Sequence, residues 1–201
     1  GHAIINVDAS GENTIVLYRG ANYALTVEQL EDALRDAGSG DMLVMQNETS
    51  LQVEAAQIAR AKGMTVLYSA APFDVTAVRA VLPYVTILAL NAVEAEQLCT
   101  ALDISLDELD VPEVLVTRGA EGAEWRPCGG KRIFMPALRV EVADTTGAGD
   151  TFAGYFAAAR DGGMTAAQAL ELASAAAALK VTRRGTADAI PTLAEVKAFR
   201  G

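Results

Sequence analysis

Positive charge is what this sequence has least of relative to its size. Lys and Arg number 16 against 26 Asp and Glu, a formal net charge of −10. A nucleic-acid footprint is built from clustered basic residues, so no nucleic-acid partner is expected. Histidine occurs once and cysteine twice, as Cys99 and Cys128, far apart in the chain. That supply offers no zinc set and no disulfide framework, and it points to a reduced, cytoplasmic protein. No apolar run approaches the roughly 20 residues of a membrane span, so no membrane partner is expected. The N-terminus also lacks the charged and apolar regions of a signal peptide. Apolar residues, by contrast, are plentiful: 51% of 201 residues, rich in Ala, Val and Leu. That is enough to build one domain with a substantial core.

The pattern along the chain alternates. Residues 3–8 and 13–19 read as two short strands around a turn at Ser10, Gly11, Glu12 and Asn13. Thr26 reads as an N-cap, followed by Val27, Leu30, Ala33 and Leu34 at helical spacing. Residues 42–45 (Met-Leu-Val-Met) form a continuous apolar run, the mark of a buried strand. Helices are predicted over 50–62, 74–81 and 92–101, with strands over 64–68, 85–89 and 113–117. A hairpin with Gly129 and Gly130 at its turn is predicted within 122–142, and the last sixty residues read as helical, with Phe152, Tyr155, Phe156 and Ala159 on one stripe. Short apolar strands alternating with helices imply a doubly wound α/β fold, with a largely parallel sheet flanked by helices.

One segment stands apart in its chemistry: Asp144-Thr145-Thr146-Gly147-Ala148-Gly149-Asp150-Thr151-Phe152. Two glycines let the backbone approach a ligand closely. The N–H groups that open the following helix lack intrahelical acceptors and sit at the positive end of its dipole, which makes an anion site. Asp150 would repel such an anion unless it had a task, and orienting or deprotonating an attacking hydroxyl is one. The plainer reading is a helix start capped by Asp144 or Thr145. The segment lacks the Lys-Ser/Thr ending of a P-loop.

Other polar clusters follow strands. Thr117, Arg118, Gly119, Ala120, Glu121 and Gly122 could wrap a ribose and phosphates, or form an ordinary turn into the hairpin. Asn91 and Glu94 have capping-box spacing; Glu94 could also hold the hydration shell of Mg²⁺, an ion that keeps several waters. Gln46, Asn47 and Glu48 lie just past a strand's carboxyl end, where open α/β sheets bind ligands, and also just before a helix expected to start at Ser50. Ser174 and the alanines after it make a thin helical face, suited to a flat ring or to close helix packing.

Together these segments resemble the ribokinase-like (PfkB) carbohydrate kinases, with the ribokinases as the nearest branch. The strongest match is the run from Asp144 to Gly154. Gly11-Glu12-Asn13 with Gly20-Ala21-Asn22, Asn91 to Glu96, Thr117 to Gly122 and Val181-Thr182-Arg183-Arg184-Gly185 support it, in the family's order. The resemblance implies phosphoryl transfer from ATP to a sugar hydroxyl, ribose to ribose 5-phosphate first. Fructose, 2-keto-3-deoxygluconate or a nucleoside are the other acceptors it allows. A catalytically incomplete, nucleotide-binding piece of such a kinase is the alternative. Asp150 would be the base and would also touch the sugar. The amides of Gly147, Ala148 and Gly149 would form the anion hole. Asn91, residues 117–122, Gly149, Asp150 and Ser174 would line the nucleotide, Glu48 would contact the sugar, and Glu94 would act through Mg²⁺.

The resemblance also implies a monovalent cation, K⁺ in the first instance, near Asp144, Thr146, Lys180, Arg183, Gly185 and Ala189, mostly through backbone oxygens. Two departures touch that site: Lys180 stands where the family is small, and Ala189 lacks a hydroxyl. Residues 1–19 resemble the last strands of a small β lid, able to pair into a homodimer, and residues 20–201 the nucleotide- and sugar-binding core. The family's N-terminal glycine-rich motif, first strands and most of the lid are expected to lie outside this chain.

Overall fold

The computed structural model describes residues 1–7 and 13–200. Gly11 and Glu12, which the sequence places in a turn and in one of the family matches, lie outside the described residues. Strands β1 (His2–Val7) and β2 (Asn13–Tyr18) pair antiparallel as a sheet of their own. Six further strands, β3 (Met42–Gln46), β4 (Thr65–Ser69), β5 (Ile87–Asn91), β6 (Glu113–Thr117), β7 (Gly122–Pro127) and β8 (Ile133–Pro136), form one sheet in sequential order. The first four are parallel, and β7 and β8 continue antiparallel.

Alternation along the strands decides the two faces. Val66, Tyr68, Leu88, Leu90, Val114 and Val116 point to one side. There they meet helices α1 (Val27–Ala33), α2 (Gln52–Ala61), α3 (Val75–Val81) and α4 (Ala92–Leu102). Leu67, Ile87, Ala89 and Leu115 point to the other and pack on α5 (Ala148–Asp161), α6 (Ala166–Val181) and α7 (Leu193–Arg200). The alanines of α6 are largely buried against α5 and the sheet, which lets those two helices run close together. This is the doubly wound α/β architecture the alternation implied.

Helix starts follow side-chain chemistry where a cap is present. Thr26, Asn91 and Thr165 each accept from the N3 amide while the N3 side chain accepts from the cap amide. Three expectations shift. The run over 42–45 makes a strand, but β3 lies at the end of the described sheet, so Val44 is 48% exposed rather than buried. The helix expected from Ser50 begins after Leu51, whose φ of 61° is left-handed and which makes no side-chain cap bond. The preceding loop is held instead by Gln52 Nε2, which donates to Thr49 O at 2.8 Å and Asn47 Oδ1 at 3.1 Å. Strand pairing after Gly122 ends at Pro136 rather than near 142.

A capping box at the C-terminal helix is also acid-sensitive. Glu195 accepts from Arg183 Nη2 at 2.7 Å and from the Thr192 N–H at 2.7 Å, while the Glu195 N–H returns a bond to Thr192 Oγ1. The Arg183 bond first, then the Thr192 bonds, pull its pKa from 4.5 down to about 2. A carboxylate depressed on folding stabilises above its unfolded pKa, and that stabilisation is lost as pH falls towards the folded one. Protection of the α7 amides is therefore expected to drop between about pH 4.5 and 2. Hydrogen exchange across that window checks this, and Glu195→Gln should flatten the response.

Candidate active site

The parallel strands β3, β4, β5 and β6 all end on one edge of the sheet, so Gln46, Ser69, Asn91 and Thr117 share it. Asn91 and Thr117 are register partners across β5 and β6. The start of α5 arrives at the same edge: Asp150, in its first turn, accepts from Gln46 Nε2 at 2.8 Å. A cleft of about 540 Å³ has a polar mouth of Gln46, Glu48, Ser69 and Asp150 above apolar walls that include Leu25, Leu30 and Leu43.

The turn before α5 is built from backbone conformation and hydrogen bonds. Gly147, not Asp144 or Thr145, is the N-cap, at φ 73° in the left-handed region that glycine tolerates. It offers no side chain to cap the helix. Thr151, almost fully buried, locks the turn through its hydroxyl, which donates to Gly147 O at 2.8 Å. The Ala148 N–H, expected in the anion hole, donates to Thr145 O at 3.1 Å. The Gly149 and Asp150 amides then remain as first-turn donors that the helix cannot satisfy itself. Asp144 acts inside the turn instead of capping it: Oδ1 accepts from the Thr146 N–H at 2.9 Å and Oδ2 from the Gly185 N–H at 3.0 Å. Those bonds, the Thr146 one foremost, hold its carboxyl at about 2, below its ordinary 3.8.

The loop after β6 folds as a single 3₁₀ turn over Gly119–Glu121 running into β7. The Arg118 N–H donates to Gly122 O at 2.8 Å, and the Arg118 guanidinium pairs with Glu124 at 3.3 Å. Ala120 sits at the centre of that turn, and Glu121 O accepts from the Ala137 N–H at 3.3 Å. Asn91 and Glu94 make the full capping box, with the Asn91 N–H donating to Glu94 Oε2 at 2.8 Å. One Glu94 oxygen is thereby engaged. No group of three or more His, Cys, Asp or Glu able to hold a metal occurs among the described residues.

Ser174 lies buried within α6, and its Oγ has no partner among the described residues. Glu48 is exposed, and its main-chain oxygen accepts from Asn22 Nδ2 at 3.3 Å. Glu48 also borders a smaller cleft of about 290 Å³, shared with His2, Tyr18, Arg19 and Pro72, so it faces both the β1–β2 hairpin and the Asp150 mouth. The residues assigned to a monovalent cation also converge. Lys180, completely buried, donates from Nζ to Asp144 O at 3.2 Å, and Lys180 O accepts from the Arg183 N–H at 2.9 Å. Gly185 reaches Asp144 as above, and Ala189 is buried beside it. Thr146 contributes its N–H to the Asp144 carboxylate.

The Gln46–Asp150 bond is the contact the sequence does not reveal. Gln46 reads only as part of a polar cluster, and 104 residues separate the two partners. Strand order is the one signal that could have found it, because β3 must end on the edge where α5 begins.

Known proteins share this fold. The family model described as pfkB family carbohydrate kinase matches residues 1–193. Ribokinase from Schizosaccharomyces pombe is 33% identical over 98% of this chain and 66% of its own length. Ribokinase from Haemophilus influenzae is 34% identical over 99% of this chain and 68% of its own. The chain thus spans about two thirds of the length of the curated relatives it matches. Among solved structures, Thermotoga maritima ribokinase superposes with a TM-score of 0.85 at 30% identity, covering 98% of this chain and 68% of that one. A Burkholderia thailandensis nucleoside kinase in complex with inosine gives 0.82 at 27% identity, covering 98% of this chain and 67% of that one. With a family model spanning nearly its whole length and relatives at 33% and 34% identity, this chain belongs to the pfkB family of carbohydrate kinases.

Proposed function

We propose that this chain carries the phosphoryl-transfer centre of an ATP-dependent sugar kinase, with ribose as acceptor and ribose 5-phosphate as product. The observation that carries the reading is Asp150, set in the first turn of α5 behind a glycine turn and held by Gln46 from the end of β3. In this reading Asp150 orients the sugar hydroxyl and takes its proton as the phosphoryl group leaves ATP. It is a weak base, which suffices because phosphoryl transfer relies mainly on positioning and charge stabilisation. The amides of Gly147, Ala148 and Gly149 receive the transferring phosphate, Ala148 giving up its bond to Thr145 O on doing so. Asn91, residues 117–122 and Ser174 line the nucleotide, and Glu48 binds the sugar. Glu94 would hold the water shell of a Mg²⁺ through its remaining oxygen, and that ion would supply charge neutralisation at the nucleotide phosphates. A cytoplasmic location goes with this reading, and both cysteines are free thiols.

A coupled ADP-release assay across ribose, deoxyribose, fructose, 2-keto-3-deoxygluconate and inosine tests the assignment. Ribose-dependent release supports it. Release with inosine or deoxyribose favours the second reading, which rests on the inosine complex above and on a Salmonella typhi deoxyribokinase 30% identical to this chain. ATP binding with no sugar-dependent release assigns the chain to nucleotide binding alone.

The β1–β2 hairpin belongs to the same proposal as part of a lid that a second copy covers. Ile4, Val16, Leu17 and Tyr18 are each more than half exposed on it. Leaving such apolar surface in water is unfavourable, and a paired hairpin buries it. Val16→Asp is expected to convert a dimer to monomer in light scattering while the circular dichroism spectrum stays unchanged. A wild-type chain that is monomeric at all concentrations overturns this part.

A further inference from the structure

Lys180 is the one completely buried cationic side chain among the described residues. Its Nζ donates to Asp144 O at 3.2 Å. It lies in the last turn of α6, where the negative end of the helix dipole favours a cation. Part of the surrounding backbone is committed to its own bonds. The Ala143 and Asp144 N–H groups both donate to Val181 O, the Arg183 N–H donates to Lys180 O, and both Asp144 carboxylate oxygens accept amides. A monovalent cation in this corner needs bare oxygens. Here the Asp144 carbonyl already holds an ammonium, and position 189 is an alanine with no oxygen in its side chain. Two cations packed against one carbonyl repel, and the Lys180 ammonium already takes that oxygen. The residues present therefore do not fit a bound K⁺.

We propose that the Lys180 ammonium replaces the monovalent cation as a built-in positive charge behind the anion turn, so that phosphoryl transfer in this chain needs no K⁺. Lys180 is then a positioning residue. It fixes the Asp144 carbonyl, and through the short segment to Gly147 it sets the direction of the amides that receive the phosphate. This rests on the kinase reading above, but part of its test does not.

The melting temperature of the wild-type chain is measured in KCl, NaCl, CsCl and choline chloride at matched ionic strength, and sugar-dependent turnover in the same salts. No K⁺-specific stabilisation and equal turnover in every salt are expected. Lys180→Ala opens the corner. It should lose at least about tenfold in turnover in choline chloride, the scale of one charged hydrogen bond, and recover when K⁺ or NH₄⁺ is added. It should also gain a K⁺-specific rise in melting temperature. A merely structural lysine gives a loss that no salt repairs. Wild-type stabilisation or activation specific to K⁺ overturns the proposal. If Lys180→Ala does not fold, the wild-type salt series decides. If no sugar supports turnover, the kinase reading fails while the melting series still decides on the cation.

Discussion

Asp150→Asn is expected to lower kcat by roughly 10²–10⁴-fold, the range that a positioned acid–base group supplies, with ATP affinity little changed. The change keeps the side chain's size and lets one side-chain oxygen go on accepting from Gln46 Nε2, a bond of 2.8 Å in the native chain. What goes is the negative charge and the proton acceptor. Asp150→Ala should lose as much turnover, because it removes the acceptor altogether. The nucleotide contacts proposed above are spread over the ends of β5 and β6, so binding is expected to survive either change. Steady-state kinetics with titration of ATP separates the two effects. A variant that keeps more than about a tenth of native kcat shows that Asp150 is not the base, since even the weakest general bases contribute more than that.

Gly122→Ala should be the most destabilising glycine-to-alanine change among the described residues. Gly122 stands at φ 130°, ψ −145°, a region essentially restricted to glycine. A Cβ there would lie 2.1 Å from Met135 O and 2.8 Å from Pro136 Cα, both backbone atoms of the facing strand. Neither can move without breaking the β7–β8 register, in which Gly122 faces Pro136. A cost of roughly 3 kcal/mol or more follows, or a fall of about 6–12 °C in Tm for a chain of this size. Because the Arg118 N–H closes its loop on Gly122 O, ATP affinity should fall with stability. Gly154→Ala is the control: its Cβ meets nothing within 4 Å, and inside α5 it should be neutral or stabilising. A Gly122→Ala protein that melts with the native one would mean the β7–β8 pairing yields cheaply.

Local chemistry made most of the fold readable. Thr26 and Asn91 cap through hydroxyl or amide side chains, and short continuous apolar runs mark β4 and β6. Reading failed where backbone conformation overrode side chains, as at Leu51 and Gly147, both left-handed caps. It failed again at β3, whose apolar run cannot say whether a neighbour covers it. In the site, the turn at 144–150 was legible because small residues and a second aspartate are costly to place by accident before a helix. Gln46 was not, since a strand-end glutamine carries no signal of a partner 104 residues away. Lys180 was legible as an oddity, but its burial and its grip on Asp144 O are properties of packing.

That long separation has a kinetic consequence. Bringing Gln46 to Asp150 closes a loop that spans half the chain, and loops of that kind close late in folding because their entropy is spent before any contact returns it. The carboxylate thus acquires its fixed orientation only when the first strand of the large sheet and the helix after its last hairpin are both in place. Since β3 is hydrogen-bonded to β4 on one side alone among the described residues, its end is also the first part free to fray. Turnover should therefore report the docking of that strand more sharply than melting does, fading in mild denaturant while the rest of the sheet is still intact.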